Sequence, residues 1–287
     1  MYVIMGANGH VGAAVAETLL VSGEPVTVVT HSGSRNNAWR DKGADVAIAD
    51  VNDVASLHAA LRRGRRAFLL NPPADVSTDT DVVERATVAN ILAALDGSGL
   101  EKVVAESTGA AQPGERIGDS NTLWDLEEGL RRQAIPVAIN RAGFYMSNWD
   151  EQLDAVRQTG TLQTMVPSNF AMPMVAPHDL GEIAADRLMS SLDDVGVRFV
   201  EGPQHYSADD VAAAFTDALG RSVTTVVTPR DQWEATYRKL GFSKPAAESY
   251  ARMTGLAVDQ GVDTEDPMRG ATTLRTYIRE LVERQGK

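Results

Sequence analysis

Near the start of the chain, Gly6-Ala7-Asn8-Gly9-His10-Val11-Gly12 sets three glycines at three-residue spacing, just after an apolar run and just before a helical pattern. In that context the loop suits a dinucleotide. Gly6 allows a tight turn, Gly9 lets the backbone approach a pyrophosphate, and Gly12 lets helix and strand pack closely. Amides at the helix N-terminus attract the anion. A glycine triplet alone is a common structural turn, so the flanking strand and helix carry the weight. Asn8, His10 and Val11 would line the cofactor from within the loop. Roughly 20 residues beyond such glycines, NAD-selective sites place an acid on the ribose. Here the second apolar run ends Thr30-His31-Ser32-Gly33-Ser34-Arg35, with no carboxylate. Hydroxyls and a guanidinium suit the 2′-phosphate of NADPH better than NADH, because arginine grips that dianion at two points. The plainer reading of Arg35 is an exposed loop arginine. Asp50 and Val51 after the third run could hold the adenine, Asp50 serving equally well as a helix cap. Asn71-Pro72-Pro73 after the fourth run reads as a rigid turn beside the cofactor.

A second group of residues suits an acceptor. Phe144, Tyr145, Asn148 and Trp149 follow the sixth apolar run, at the strand end where ligands of open α/β sheets collect, and Gly143 just ahead of them falls on the cofactor side. Aromatic rings can stack on a flat molecule and Asn148 can orient a carbonyl, which makes Tyr145 and Asn148 the catalytic candidates. Packing between two lobes explains Phe144 and Trp149 equally well. Trp124 is read in the same way. Ser107 and Thr108 end the fifth run and offer either a hydroxyl near the nicotinamide or a helix cap. His178, with Asp179 beside it, reads as a loop-and-cap pair rather than a catalytic histidine. The sequence has no G-x-S-x-G elbow and no H-E-x-x-H pair, and its five histidines are scattered, so neither a hydrolytic triad nor a zinc site is visible.

The elements that must position these groups follow from periodicity. Apolar, β-rich runs at residues 2–5, 25–30, 45–49, 67–70, 102–106 and 136–140 alternate with amphipathic stretches, the pattern of repeated βαβ units. The expected fold class is therefore α/β: a Rossmann-type, doubly wound parallel sheet. Helices are expected at 11–21, with Val11, Val15, Leu19 and Leu20 on one side, and at 82–95, with Val83, Val88, Ile91, Leu92 and Leu95 on one side. Beyond Trp149 the glycines and prolines become irregular. The domains expected are a nucleotide-binding unit at 1–150 and a smaller α/β substrate lobe at 151–287, whose later segments can complete the sheet. Asp179 and Ser207 are expected helix caps. Arg62, Arg63, Arg65 and Arg66 read as a solvated helix end.

Bulk properties exclude other classes. A net charge of −12 leaves no concentrated basic face for nucleic acid. No apolar run approaches the roughly 18 residues of a membrane span, and the N-terminus lacks a signal peptide's basic flank, so a cytoplasmic location is expected. The absence of cysteine removes disulfides, thiolate metal sites and thiol nucleophiles.

Taken with the stretches G-A-D-V-A-I-A-D from Gly43, L-E-E-G-L from Leu126, N-R-A-G-F-Y-M-S-N from Asn140, H-D-L-G-E-I-A-A-D-R-L from His178 and the segment 202–221, the chain resembles the NmrA-like family of atypical short-chain dehydrogenases, with its quinone-reductase and triphenylmethane-reductase branches. The resemblance implies NADP(H) binding, a cleft between lobes, and one of two roles. One is reduction of a quinone, azo dye or similar planar acceptor. The other is non-catalytic redox sensing through a protein partner. A small planar acceptor, a second copy of the chain or a regulated protein are the partners this implies. Two departures stand out. No tyrosine is followed four residues later by lysine, and Leu123 stands where relatives often place Lys or His, four residues before Glu127.

Overall fold

The computed structural model describes residues 1–31, 36–261 and 264–286. In its first half, β1 (Tyr2–Ile4), β2 (Val26–Thr30), β3 (Asp45–Ile48), β4 (Arg66–Leu69), β5 (Lys102–Thr108) and β6 (Val137–Ala142) are linked through α1 (His10–Val21), α2 (Asn36–Asp41), α3 (Val54–Leu61), α4 (Thr80–Leu95) and α5 (Asp119–Arg131). There follow β7 (Phe144–Tyr145), α6 (Leu153–Thr159), β8 (Thr161–Thr164), β9 (Met172–Val175), α7 (Pro177–Met189), β10 (Gly196–Glu201) and β11 (His205–Tyr206). The chain ends through α8 (Ala208–Leu219), β12 (Thr224–Val227), α9 (Trp233–Lys239), α10 (Lys244–Gln260), β13 (Met268–Arg269) and α11 (Leu274–Gln285).

The main sheet runs β3-β2-β1-β4-β5-β6-β10-β13 with every neighbouring pair parallel. This is the Rossmann-type, doubly wound arrangement that the alternating runs predict, and β10 and β13 extend it from the second half. Strand order reverses between β1 and β4, which opens a crevice at their C-terminal ends. Both faces of the sheet are covered, as a parallel sheet requires. Val15 and Leu19 of α1, Leu180 and Leu188 of α7, and Trp39 of α2 pack on one face. Leu57 and Leu61 of α3, Val88, Ile91 and Leu95 of α4, and Leu126 and Leu130 of α5 pack on the other. A separate core gathers Trp149, Leu153, Leu162, Met174, Phe215 and Ile278. It is braced by a three-stranded sheet β11-β9-β7 and a pair β12-β8.

Several local expectations are met, others corrected. Ser207 caps α8 in a reciprocal capping box with Asp210. Asp179 is no cap: Ala176 holds that position, and the buried Asp179 carboxylate accepts from Thr272 N at 2.8 Å and Thr272 Oγ1 at 2.6 Å, tying the segment after β13 to α7. Arg66 does not belong to a solvated helix end; it opens β4 and its Nη1 donates to Ser190 O at 2.7 Å. Val83 faces outward. The first turn of α4 buries Thr80, Asp81 and Glu84 instead, because that turn projects beneath α5 and α10, where polar partners await it.

Candidate functional site

Two of the three loop glycines, Gly6 and Gly12, stand where a side chain has no room. Gly6 has φ +68°, and a Cβ there would lie 2.3 Å from Leu70 Cδ2 at the end of β4. A Cβ on Gly12 would meet Gly6 O at 2.4 Å and Met5 O at 2.6 Å, both backbone atoms that cannot give way. Gly9 caps α1 without a side-chain acceptor, and the first turn carries no acid, so an incoming anion would meet helix amides unopposed by negative charge. His10 opens that helix and Val11 is buried behind it. Asn8 Oδ1 lies 3.4 Å from Trp39 Nε1, which ties the loop to α2. This cradle fits a pyrophosphate.

Around it, Thr30 is buried at the end of β2 and His31 is exposed, while Ser32 and Arg35 lie outside the described residues. Asp50 is occupied locally: its Oδ1 accepts from Asn52 N at 2.8 Å and Asn52 Nδ2 at 3.0 Å, and the cap of α3 is Asp53. Val51 packs against the α3–α5 face of the sheet. Asn71 accepts from Thr87 Oγ1 at 2.6 Å, which fixes the turn leading into Pro72 and Pro73. Gly143 donates to Val200 O at 2.9 Å, and a Cβ there would strike Pro173 O at 2.7 Å.

The fifth strand presents different chemistry on its two faces. Ser107 points toward α5, where its Oγ donates to Glu127 Oε1 at 2.6 Å. Glu127 is held by a two-point grip from Arg141, both bonds 2.8 Å, and by Arg131 at 2.8 Å. Trp124 stacks under the same guanidinium groups, 5.5 Å from Arg131 and 5.6 Å from Arg141. Leu123 packs into the apolar layer below. Glu106, one residue back, turns to the opposite face. It is 5% exposed, Tyr145 Oη lies 3.5 Å from its Oε1, and its Oε2 has no hydrogen-bond partner among the described residues. Across the strand pair from Glu106 stands Asn140, whose Nδ2 is likewise buried without a partner. Burial pushes the Glu106 carboxyl well above its ordinary range, against hydrogen bonding from Tyr145 and Asn140. The Tyr145 hydroxyl is pushed up by burial and by the nearby Glu106 and Asp119 carboxyls.

Tyr145 is partly exposed, and Phe144 and Asn148 are exposed beside it. Trp149 turns inward to the second core, 5.8 Å from the Phe144 ring. The remaining acids gather under α10. Glu84 accepts from Ala74 N at 3.2 Å and Thr122 Oγ1 at 2.9 Å. Burial, then repulsion from Asp119 and Asp81, lifts it to about 7. Asp119 accepts from Tyr250 Oη at 3.2 Å and is raised by burial.

Helix α10 roofs this region. Ser249 Oγ accepts from Gly118 N at 2.9 Å, and Gly118, at φ +60°, has Met253 where a Cβ would go. Between the turn after β5 and this roof lies a cavity of about 220 Å³, walled by Gly109, Ala110 and Gln112 below and Met253, Leu256 and Ala257 above. Sequence reading identified neither Glu106 nor this roof. The available signal for Glu106 was an acid at the end of the apolar run 103–105 of a strand covered on both faces. Among the described residues no three His, Asp or Glu side chains group as metal ligands, and no helix is long and apolar enough to cross a membrane.

Comparison with known proteins agrees with this architecture. The model of the NmrA-like family matches residues 2–277. An NAD(P)H azoreductase of Xenophilus azovorans is 22% identical over 267 residues, covering 90% of this chain and 87% of that protein. Triphenylmethane reductase of Citrobacter sp., solved with NADP(H), superposes with a TM-score of 0.81 at 18% identity, covering 98% of this chain and 99% of the other. NADPH-dependent quinone oxidoreductase QOR2 of Escherichia coli, solved with NADPH, gives 0.80 at 20% identity, with 98% and 99% covered.

Proposed function

The chain belongs to the NmrA-like family, and from that premise we propose that it is an NADPH-dependent reductase of a small planar acceptor of the quinone or azo-dye kind. The observation that carries this reading is the pairing, along one sheet edge, of a glycine cradle suited to a dinucleotide with a partly exposed Tyr145 backed by acids that burial keeps from ionising. Gly6, Gly9 and Gly12 would hold the pyrophosphate, and Thr30, His31, Ser32 and Arg35 would meet the adenosine ribose and its phosphate. Asp50, Val51, Asn71, Pro72, Pro73, Ser107 and Gly143 would border the rest. The cofactor supplies hydride. The chain's own groups exclude water, orient the acceptor between Phe144, Tyr145 and Asn148, and return a proton to it. The net charge of −12 disfavours anionic acceptors, so neutral or cationic ring systems of one or two rings suit the cavity beneath α10.

The test mixes purified protein with NADPH or NADH and a panel of neutral, cationic and sulfonated quinones and azo dyes, following cofactor oxidation and binding. Oxidation of NADPH with neutral or cationic acceptors, and much less with sulfonated ones, is expected. Tight NADPH binding without oxidation across the panel would replace this reading with a redox sensor acting on a partner protein. Arg35→Ala should weaken NADPH binding by roughly 1.5–3 kcal/mol and NADH binding much less. Equal losses would remove the 2′-phosphate contact.

A further inference from the structure

Tyr145 faces a difficulty if it gives a proton to a reduced acceptor. A tyrosinate left behind would have its oxygen in an acid-rich corner, with no cation beside it among the described residues. Its hydroxyl neighbours Glu106 directly and Asp119 at longer range, and Arg187 of α7, which reaches Asn140 facing Glu106, donates to Asn140 Oδ1 at 2.8 Å and Ile139 O at 3.0 Å. The ordinary solution, a lysine four residues further on, is absent. The geometry offers another. Glu106 reaches Tyr145 Oη with one oxygen, while its second oxygen is buried without a hydrogen bond of ordinary geometry; the facing Asn140 amide only partly offsets that burial, a combination that is costly for a carboxylate and tolerable for a neutral acid.

We propose that Glu106 is a proton store that resupplies Tyr145 during turnover, an inference that rests on the reductase reading above. When hydride from the nicotinamide dinucleotide adds to the acceptor, a π bond of the conjugated system breaks and negative charge collects on a carbonyl oxygen or azo nitrogen. That atom takes the Tyr145 proton as the phenol takes the Glu106 proton, so no tyrosinate forms. The Glu106 carboxylate is reprotonated from water as product leaves. Tyr145 is then the catalytic acid, and Glu106 a positioning residue acting through it. The groups facing the pair are Asn140 from β6, Asp119 from α5 and, beyond it, Glu84 of α4 and Tyr250 of α10. These are neutral or acidic; the cation behind Asn140, Arg187 of α7, donates to Asn140 Oδ1 and pairs with Asp194, so Glu106 has no ion pair among the described residues.

Two measurements test this. The first needs no cofactor: infrared difference spectra of wild type against Glu106→Gln at neutral pH should show a protonated-carboxyl band present only in wild type and shifted in Tyr145→Phe. Absence of that band would mean an ionised Glu106 and would overturn the proposal, whatever the protein reduces. The second follows acceptor reduction against pH with NADPH and a neutral quinone. Glu106→Gln should lower kcat about tenfold or more with little change in acceptor KM, and should lose the wild-type fall in rate toward high pH, while Glu106→Asp recovers part of both. A Glu106→Gln enzyme with wild-type kcat and pH profile would discard the relay and leave the reductase standing. A wild type that reduces nothing would remove both.

Discussion

Two carboxylates one strand apart from each other in fate, Glu127 against one face of β5 and Glu106 on the other, show how burial alone does not decide the state of an acid. Glu127 is 1% exposed and Glu106 5%. The first accepts from two arginines and a serine, so its charge is fully matched. The second has a phenol at 3.5 Å and, among the described residues, an orphaned oxygen and no paired cation, so neutrality is its cheaper state. The matched acid is architecture, while the unmatched one holds a proton that chemistry can use.

The comparison breaks most visibly through stability. Glu127→Ala strands Arg141, itself only 14% exposed at the side chain, and should cost about 3–5 kcal/mol in urea unfolding. Glu84 belongs with the unmatched acids. Its folded value is raised from 4.5 to about 7, so the stability it contributes is fully present below the unfolded value and is lost as pH rises through the folded one. Glu84→Gln should therefore flatten the stability profile across that window and gain up to on the order of 3 kcal/mol at alkaline pH. An unchanged slope would place Glu84 among the ionised acids. Ser107→Ala removes one charge-assisted bond from a carboxylate with other donors, and should cost about 1–2 kcal/mol. The smallest effect is expected for Glu106→Gln, a neutral acid exchanged for a neutral amide of the same shape, within about 1 kcal/mol at neutral pH. A loss comparable to that of Glu127→Ala would make the two faces equivalent.

Much of this was readable in the sequence wherever local pattern and local structure coincide. The glycine loop sits between a strand and a helix that its own neighbours dictate, and the parallel order follows from alternating runs. The capping box at Ser207 is likewise a four-residue affair. What escaped was set by distance along the chain. Asp81 and Glu84 occupy positions that read as the wet side of α4, yet Asn121 and Thr122, about 40 residues on, claim them. Trp124 reads equally as a ligand-side aromatic or as packing, and nothing nearby announces that Arg141 will close over it. Arg66 finds its carbonyl 124 residues away.

The clasp between α10 and α5 also bears on the order in which the molecule can be completed. Ser249 and Tyr250 meet Gly118 and Asp119 across 131 residues, and the edge strand that ends the main sheet, Met268–Arg269, is also the last strand in the chain. A chain emerging from the ribosome can assemble β1, β2 and the glycine loop early, from neighbours in sequence, while the cavity under α10 waits for residues beyond 243. For much of its synthesis the protein is thus a glycine cradle without a roof, so the cavity under α10 is the last part of the molecule to acquire its shape.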